Sequence, residues 1–175
     1  MANKLARIRW EMGQALLPEH FIAQEEALLA DTILRFRTGG LPAYGIAGLK
    51  WNEAFLGEGI LSLQSITVVM PSGLMLDAPG NAVVSTFNLN TPGTVTIPLY
   101  LHVIKPIGEK PDQDRGAAEE DTIPRIVYQL VLSSDQSHSK ALETMKVGEF
   151  VKDPEGLWQH SEDFIPPLLQ VGNSP

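Results

Sequence analysis

Glycine and proline interrupt this chain so often that long regular elements have little room to form. Fifteen Gly and thirteen Pro are spread over 175 residues. Such residues mark turns and element ends, which favours short strands over long helices. The best helix runs from Pro18 to Arg37. Pro18 suits the first helical position, where its missing N–H costs nothing. Glu19 in the first turn and Arg35 and Arg37 in the last complement the helix dipole. Phe21, Leu28, Leu29, Ile33 and Phe36 fall at spacings that favour one apolar face. Gly39-Gly40 ends the helix.

The rest reads as strands. Residues 1–17 predict a short strand and a turn, with Trp10 set between Arg9 and Glu11 and broken at Gly13. Ile60 to Val69 and Leu74-Met75-Leu76 predict a hairpin about the turn Pro71-Ser72-Gly73. Val83-Val84, Thr94 to Val103, Ile126 to Leu132 and Leu142 to Val151 supply further strands. Residues 108–121 are polar and acidic and read as a solvated loop. The expected fold is mainly β: a β-sandwich over residues 44–170 with one N-terminal helix, in a single β-rich domain spanning 1–175.

Charge and composition remove several classes of function. The formal net charge is −8 and no cluster of Lys and Arg is visible. Nucleic acid and anionic membrane surfaces both need a basic face, so neither is an expected partner. With no cysteine, disulfides and thiolate chemistry are excluded. Arg7, Arg9 and Glu11 interrupt any signal-like apolar start, and a cytoplasmic location is expected.

His20, His102, His138 and His160 stand at no metal-ligand spacing, although distant histidines can meet in space. No GxSxG motif occurs, and Ser72 is ordinary turn chemistry. Gly45-Ile46-Ala47-Gly48 lacks the lysine of a phosphate loop. Glu53, Glu58 and Asp77 would matter only if two of them faced one cleft. Neither a metal nor a cofactor is expected, and the chain does not read as an enzyme. Trp51 and Trp158 read as core, while Trp10 reads either as core or as an interface anchor.

Three segments, taken in order, carry a more specific signal. The first is Arg9-Trp10-Glu11-Met12-Gly13-Gln14-Ala15-Leu16-Leu17-Pro18-Glu19-His20-Phe21-Ile22-Ala23-Gln24. The second runs from Tyr44-Gly45-Ile46 through Gly57-Glu58-Gly59 to Pro71-Ser72-Gly73-Leu74-Met75-Leu76-Asp77-Ala78-Pro79. The third is Leu157-Trp158-Gln159-His160-Ser161-Glu162-Asp163-Phe164-Ile165-Pro166-Pro167-Leu168-Leu169. Their order and spacing resemble the N-terminal part of the TssK family, baseplate subunits of type VI secretion systems. Ser72 stands where the family usually has Asp, and Glu19 where it has Gln.

The resemblance implies a shoulder domain like that of phage receptor-binding proteins. It implies a homotrimer in the full-length family and docking onto the TssF and TssG wedge through the N-terminal region. The family's helical neck and C-terminal head would follow Phe-Ile-Pro-Pro and are absent from this sequence, so no membrane contact is expected of it. The expected partner-binding residues are Arg9, Trp10, Gly13, Leu16, Leu17 and His20. Phe21 is expected to pack the helix onto the sandwich, and His20 with Gln24 to brace the N-terminal segment. A phage-tail-like module binding carbohydrate or a receptor is the alternative, and a glycosidase the third reading.

Overall fold

The computed structural model describes residues 5–40, 42–91, 93–104 and 126–169. The expected acidic loop at 108–121 lies outside them. The chain forms two compact units, Met1–Ala43 and Tyr44–Pro175.

The first unit holds an extended segment and helix α1, Pro18–Thr38. The start at Pro18 and the stop at the glycine pair are as the sequence predicts. Gly39 donates its N–H to the Arg35 carbonyl, and Gly40 follows at φ 71°. Residues 6–17 contain no strand, contrary to expectation. The predicted turn is present, closed by Gln14 N–H on the Glu11 carbonyl with Gly13 at φ 83°. A strand needs a neighbour to take its backbone groups, and among the described residues none pairs with this segment.

The second unit is a β-sandwich. One sheet has the order β1 (Gly45–Asn52), β2 (Ile60–Val69), β3 (Met75–Ala78), with β5 (Phe87–Asn88) also pairing with β2. The other has the order β4 (Ala82–Val84), β7 (Tyr128–Ser133), β6 (Thr96–Ile104), β8 (Ala141–Lys152), β9 (Trp158–His160). The named pairs are antiparallel except β4 with β7. The β2–β3 hairpin turns at Pro71-Ser72-Gly73 as expected, with Gly73 N–H on the Met70 carbonyl and Met70 N–H on that of Leu74.

Alternation along the strands builds one core. Ile46, Leu61, Ile66, Val68 and Leu76 from the first sheet join Leu99, Leu101, Leu130, Val147 and Phe150 from the second. Trp51 and Trp158 belong to this core, as the sequence predicts. Trp158 also donates its indole N–H to the side chain of Asn90, at 3.0 Å. The C-terminal segment then runs alongside β1 in one parallel bridge, Ile46 with Leu168. Ile46 donates to the Pro167 carbonyl at 2.7 Å and accepts from Leu169 at 2.8 Å. The Tyr44-Gly45-Ile46 and Phe164-Ile165-Pro166-Pro167 motifs, far apart in sequence, therefore meet.

Candidate partner-binding site

The N-terminal unit presents most of its large apolar residues outward. Trp10 is 44% exposed and Met12 fully so, and Leu16, Leu17, Phe21, Ile22, Leu28, Leu29, Leu34 and Phe36 are all exposed. Only Ala27 of the helix is buried. A monomeric surface rarely leaves so many apolar side chains together, and such patches mark contact sites.

Local chemistry organises the start of this surface. The Trp10 ring meets His20 edge-on at 5.7 Å and lies tilted against Phe21 at 6.2 Å. Phe21, expected to be packed away, is 55% exposed. Its partner ring is Trp10, which lies just before the turn closed between Glu11 and Gln14. Arg9 pairs with Glu11 at 3.4 Å, both well exposed, and such a pair contributes little by itself.

His20 braces the segment, through a different partner from the one expected. Leu17 precedes the helix and has no polar side chain to cap it. Instead Leu17 N–H donates to His20 Nδ1 at 3.3 Å, and His20 N–H donates to the Leu17 carbonyl at 3.0 Å. His20 thus fills the role that Glu or Gln takes in a capping box. Its Nε2 faces the side-chain amide of Gln14 at 3.4 Å, while Glu11 N–H donates to Gln14 Oε1. Gln24 makes no hydrogen bond to His20 among the described residues. A neutral ring that accepts at Nδ1 carries its proton on Nε2. The Gln14 amide therefore serves either Glu11 or His20 in any one orientation, and the two bonds compete.

Gly13 sits at the turn with open space about it. Arg9, Trp10, Gly13, Leu16, Leu17 and His20, the expected partner-binding residues, all lie in the first unit, on the extended segment and the first turn of α1. The structure adds Met12 and Gln14, which sequence reasoning passed over. Gln14 was legible as a polar residue in the turn, six positions before His20. Met12 carried no signal beyond its apolar character.

The carboxylates weighed for catalysis have other places. Glu53 lies in a short 3-10 turn after β1. At Glu58 it is the backbone carbonyl, not the carboxylate, that accepts from the Asn90 side chain. Asp77 accepts from the Thr67 hydroxyl at 2.6 Å across the hairpin. Ser72 donates its N–H to Glu143, and its hydroxyl oxygen accepts from Leu74. A cleft of about 210 Å³ lies elsewhere, lined by Glu149, His160, Phe164 and Ile165 among others. None of Glu53, Glu58, Asp77 and Ser72 lines it.

Two histidines do meet in space, His102 and His138, with ring centroids 5.3 Å apart. Among the described residues no group of three or more His, Cys, Asp or Glu is placed to hold a metal. No helix among them is long and apolar enough to cross a membrane.

The family model described as bacterial type VI secretion, VC_A0110, EvfL, ImpJ and VasE matches residues 20–122. No curated protein matches. Among solved structures, a chain of the type VI secretion system TssK–TssF–TssG baseplate subcomplex shares 22% identity at a TM-score of 0.73, covering 98% of this chain and 64% of that one. A chain of the type VI secretion baseplate complex gives 22% identity and a TM-score of 0.73, covering 97% and 62%. TssK from EAEC bound to a nanobody gives 23% identity and a TM-score of 0.60, covering 85% and 54%. The chain thus spans less than two thirds of the length of each of these structures.

Proposed function

Because the chain belongs to the bacterial type VI secretion family of VasE and ImpJ, the TssK family, we propose that it is a structural adaptor module of the secretion baseplate. In this reading it docks onto the TssF and TssG proteins through its N-terminal segment, acts in the cytoplasm and performs no catalysis. The observation that carries the docking reading is the exposed apolar surface from Trp10 to Phe36 on a segment and helix with a single buried residue. An interface of ordinary size buries on the order of 1,600 Å² in total, with a few aromatic and Arg residues dominating its energy. Trp10 is the proposed anchor, held at a set angle by His20 and Phe21. Leu16 and Leu17 extend the apolar face, Gly13 allows the turn, and Arg9 fixes polar orientation.

The test is a pull-down with purified TssF–TssG complex, comparing the native chain with Trp10→Ala. A loss of at least 2 kcal/mol, roughly thirtyfold, is expected for a central aromatic anchor. Circular dichroism is expected to be unchanged, because Trp10 is substantially exposed. Native-like binding by Trp10→Ala would remove the anchor, and absence of binding by the native chain would remove the docking reading. The carbohydrate-binding alternative gains no specific support: of the exposed aromatics, Trp10, Phe21 and Phe36 lie on the N-terminal segment and helix, and Tyr44 and Phe55 of the second unit do not line the cleft.

A further inference from the structure

Strand β8 is covered unequally on its two sides. On one side β6 pairs with it from Thr96↔Val151 to Ile104↔Ala141. On the other, β9 pairs only with Phe150, Val151 and Lys152, and Ser161 N–H adds one bond to the Glu149 carbonyl. Backbone alternation sets where the remaining groups point. Lys152 donates to the Val95 carbonyl, toward β6. Both register shifts between the strands skip a β8 residue, Val147 and Leu142, so β6 alternates without interruption. Leu101 and Val103 then face Met145 and Glu143, and the N–H and C=O of Thr144 and Lys146 point outward. No described residue bonds them.

An uncovered edge is a template for another strand, and proteins usually blunt it with a projecting lysine or a covering loop. Lys146 does not project. Its ammonium is held by Glu149 at 2.7 Å and lies 4.1 Å above the Phe164 ring. The cleft of about 210 Å³ opens at the bulge beside this edge, between Val147–Glu149 and Phe164–Leu168. Strand-addition sites combine these two features: backbone bonds for affinity and a pocket beside the edge for selectivity. Glu149 and Glu162 line the cleft, and the chain carries a net charge of −8. An acidic segment is therefore disfavoured at this cleft.

We propose that the outer edge of β8 at Thr144–Lys146 is a strand-addition site for an extended, neutral or basic segment of another protein. That segment seats one aliphatic side chain in the adjoining cleft. The site is built from residues of the second unit alone and does not rest on the N-terminal docking reading.

A phage-displayed library of short random peptides, selected on the immobilised chain, supplies the probe. Enriched peptides are expected to carry one aliphatic residue with Lys or Arg nearby. Synthetic versions, followed by fluorescence anisotropy, are expected to weaken about tenfold on N-methylation of alternate amides and to tolerate it at the amides between. Thr144→Pro removes an outward N–H, and Ile165→Asp places a charge at the cleft on a residue that is 80% exposed. Each is expected to weaken binding by a similar factor, the second with no change in thermal midpoint. No enrichment overturns the proposal, as does binding indifferent to N-methylation or to Ile165→Asp. Sedimentation showing self-association that Thr144→Pro abolishes overturns it in favour of a second copy at the edge.

Discussion

Gly45 is held at φ 143°, and a Cβ there would lie 2.7 Å from the Pro167 carbonyl oxygen. Only glycine lets the C-terminal segment approach closely enough for the two backbone bonds of Ile46. Gly45→Ala is expected to lower the unfolding free energy by about 2 kcal/mol, read as an earlier urea midpoint. Gly156 also has a positive φ, of 86°, but nothing within 4 Å of its would-be Cβ. Gly156→Ala is expected to cost only the backbone strain, about 1 kcal/mol. The contrast separates close approach from conformation. Trp10 is governed by different physics. Its worth lies in area not yet buried, so its substitution belongs to binding rather than to stability.

At the scale of an element, helix α1 begins without the usual polar residue before it and relies on His20 for its first hydrogen bond. His20→Ala removes the acceptor for Leu17 N–H and is expected to weaken the helix start by about 1 kcal/mol. Faster amide exchange at Leu17 and its neighbours would report it. His20→Gln places a capping-box residue at the same position and is expected to restore most of the protection. Equal exchange rates in the native chain and His20→Ala would mean that Pro18 alone sets the boundary. The same variants read the brace on Trp10, since the ring that caps the helix is also the ring Trp10 meets edge-on.

For the whole molecule, the second unit carries two histidines that favour their neutral form. His102 is fully buried. Its Nε2–H donates to the Asp135 carbonyl at 3.0 Å, so Nδ1 accepts from the Thr144 hydroxyl at 2.8 Å. Burial lowers its pKa from the ordinary 6.5, and the nearby His138 lowers it further, against the pull of Asp135. The His160 ring lies tilted against Phe150 at 4.6 Å and against Trp51 at 5.7 Å. Burial lowers its pKa as well, with Glu53 opposing. Both folded-state values therefore lie below the unfolded one. As pH falls the unfolded chain takes up protons first, so this stability is complete above about pH 6.5 and is lost progressively below it. Urea denaturation at about pH 7.5 and pH 5.5 is expected to show the loss. A His102→Gln, His160→Gln double variant is expected to flatten the difference. An unchanged midpoint in the native chain would contradict the assignment.

Local chemistry by itself determined the helix from Pro18 to its glycine stop, the Pro71-Ser72-Gly73 hairpin and most strands. These depend on propensity and on polar–apolar alternation, which neighbours in sequence set. The order of the three motifs likewise placed the chain in its family. Tertiary structure decided the rest. Residues 6–17 look strand-like but form no strand, because pairing requires a partner that no local pattern can guarantee. Phe21 has the spacing of a core residue yet meets Trp10 in the open, and Gln14 rather than Gln24 faces His20. The meeting of Gly45 with Pro167 and the edge of β8 at Thr144–Lys146, unpaired among the described residues, arise from strand order and register. Those are properties of contacts between distant segments, and no periodicity along the chain encodes them.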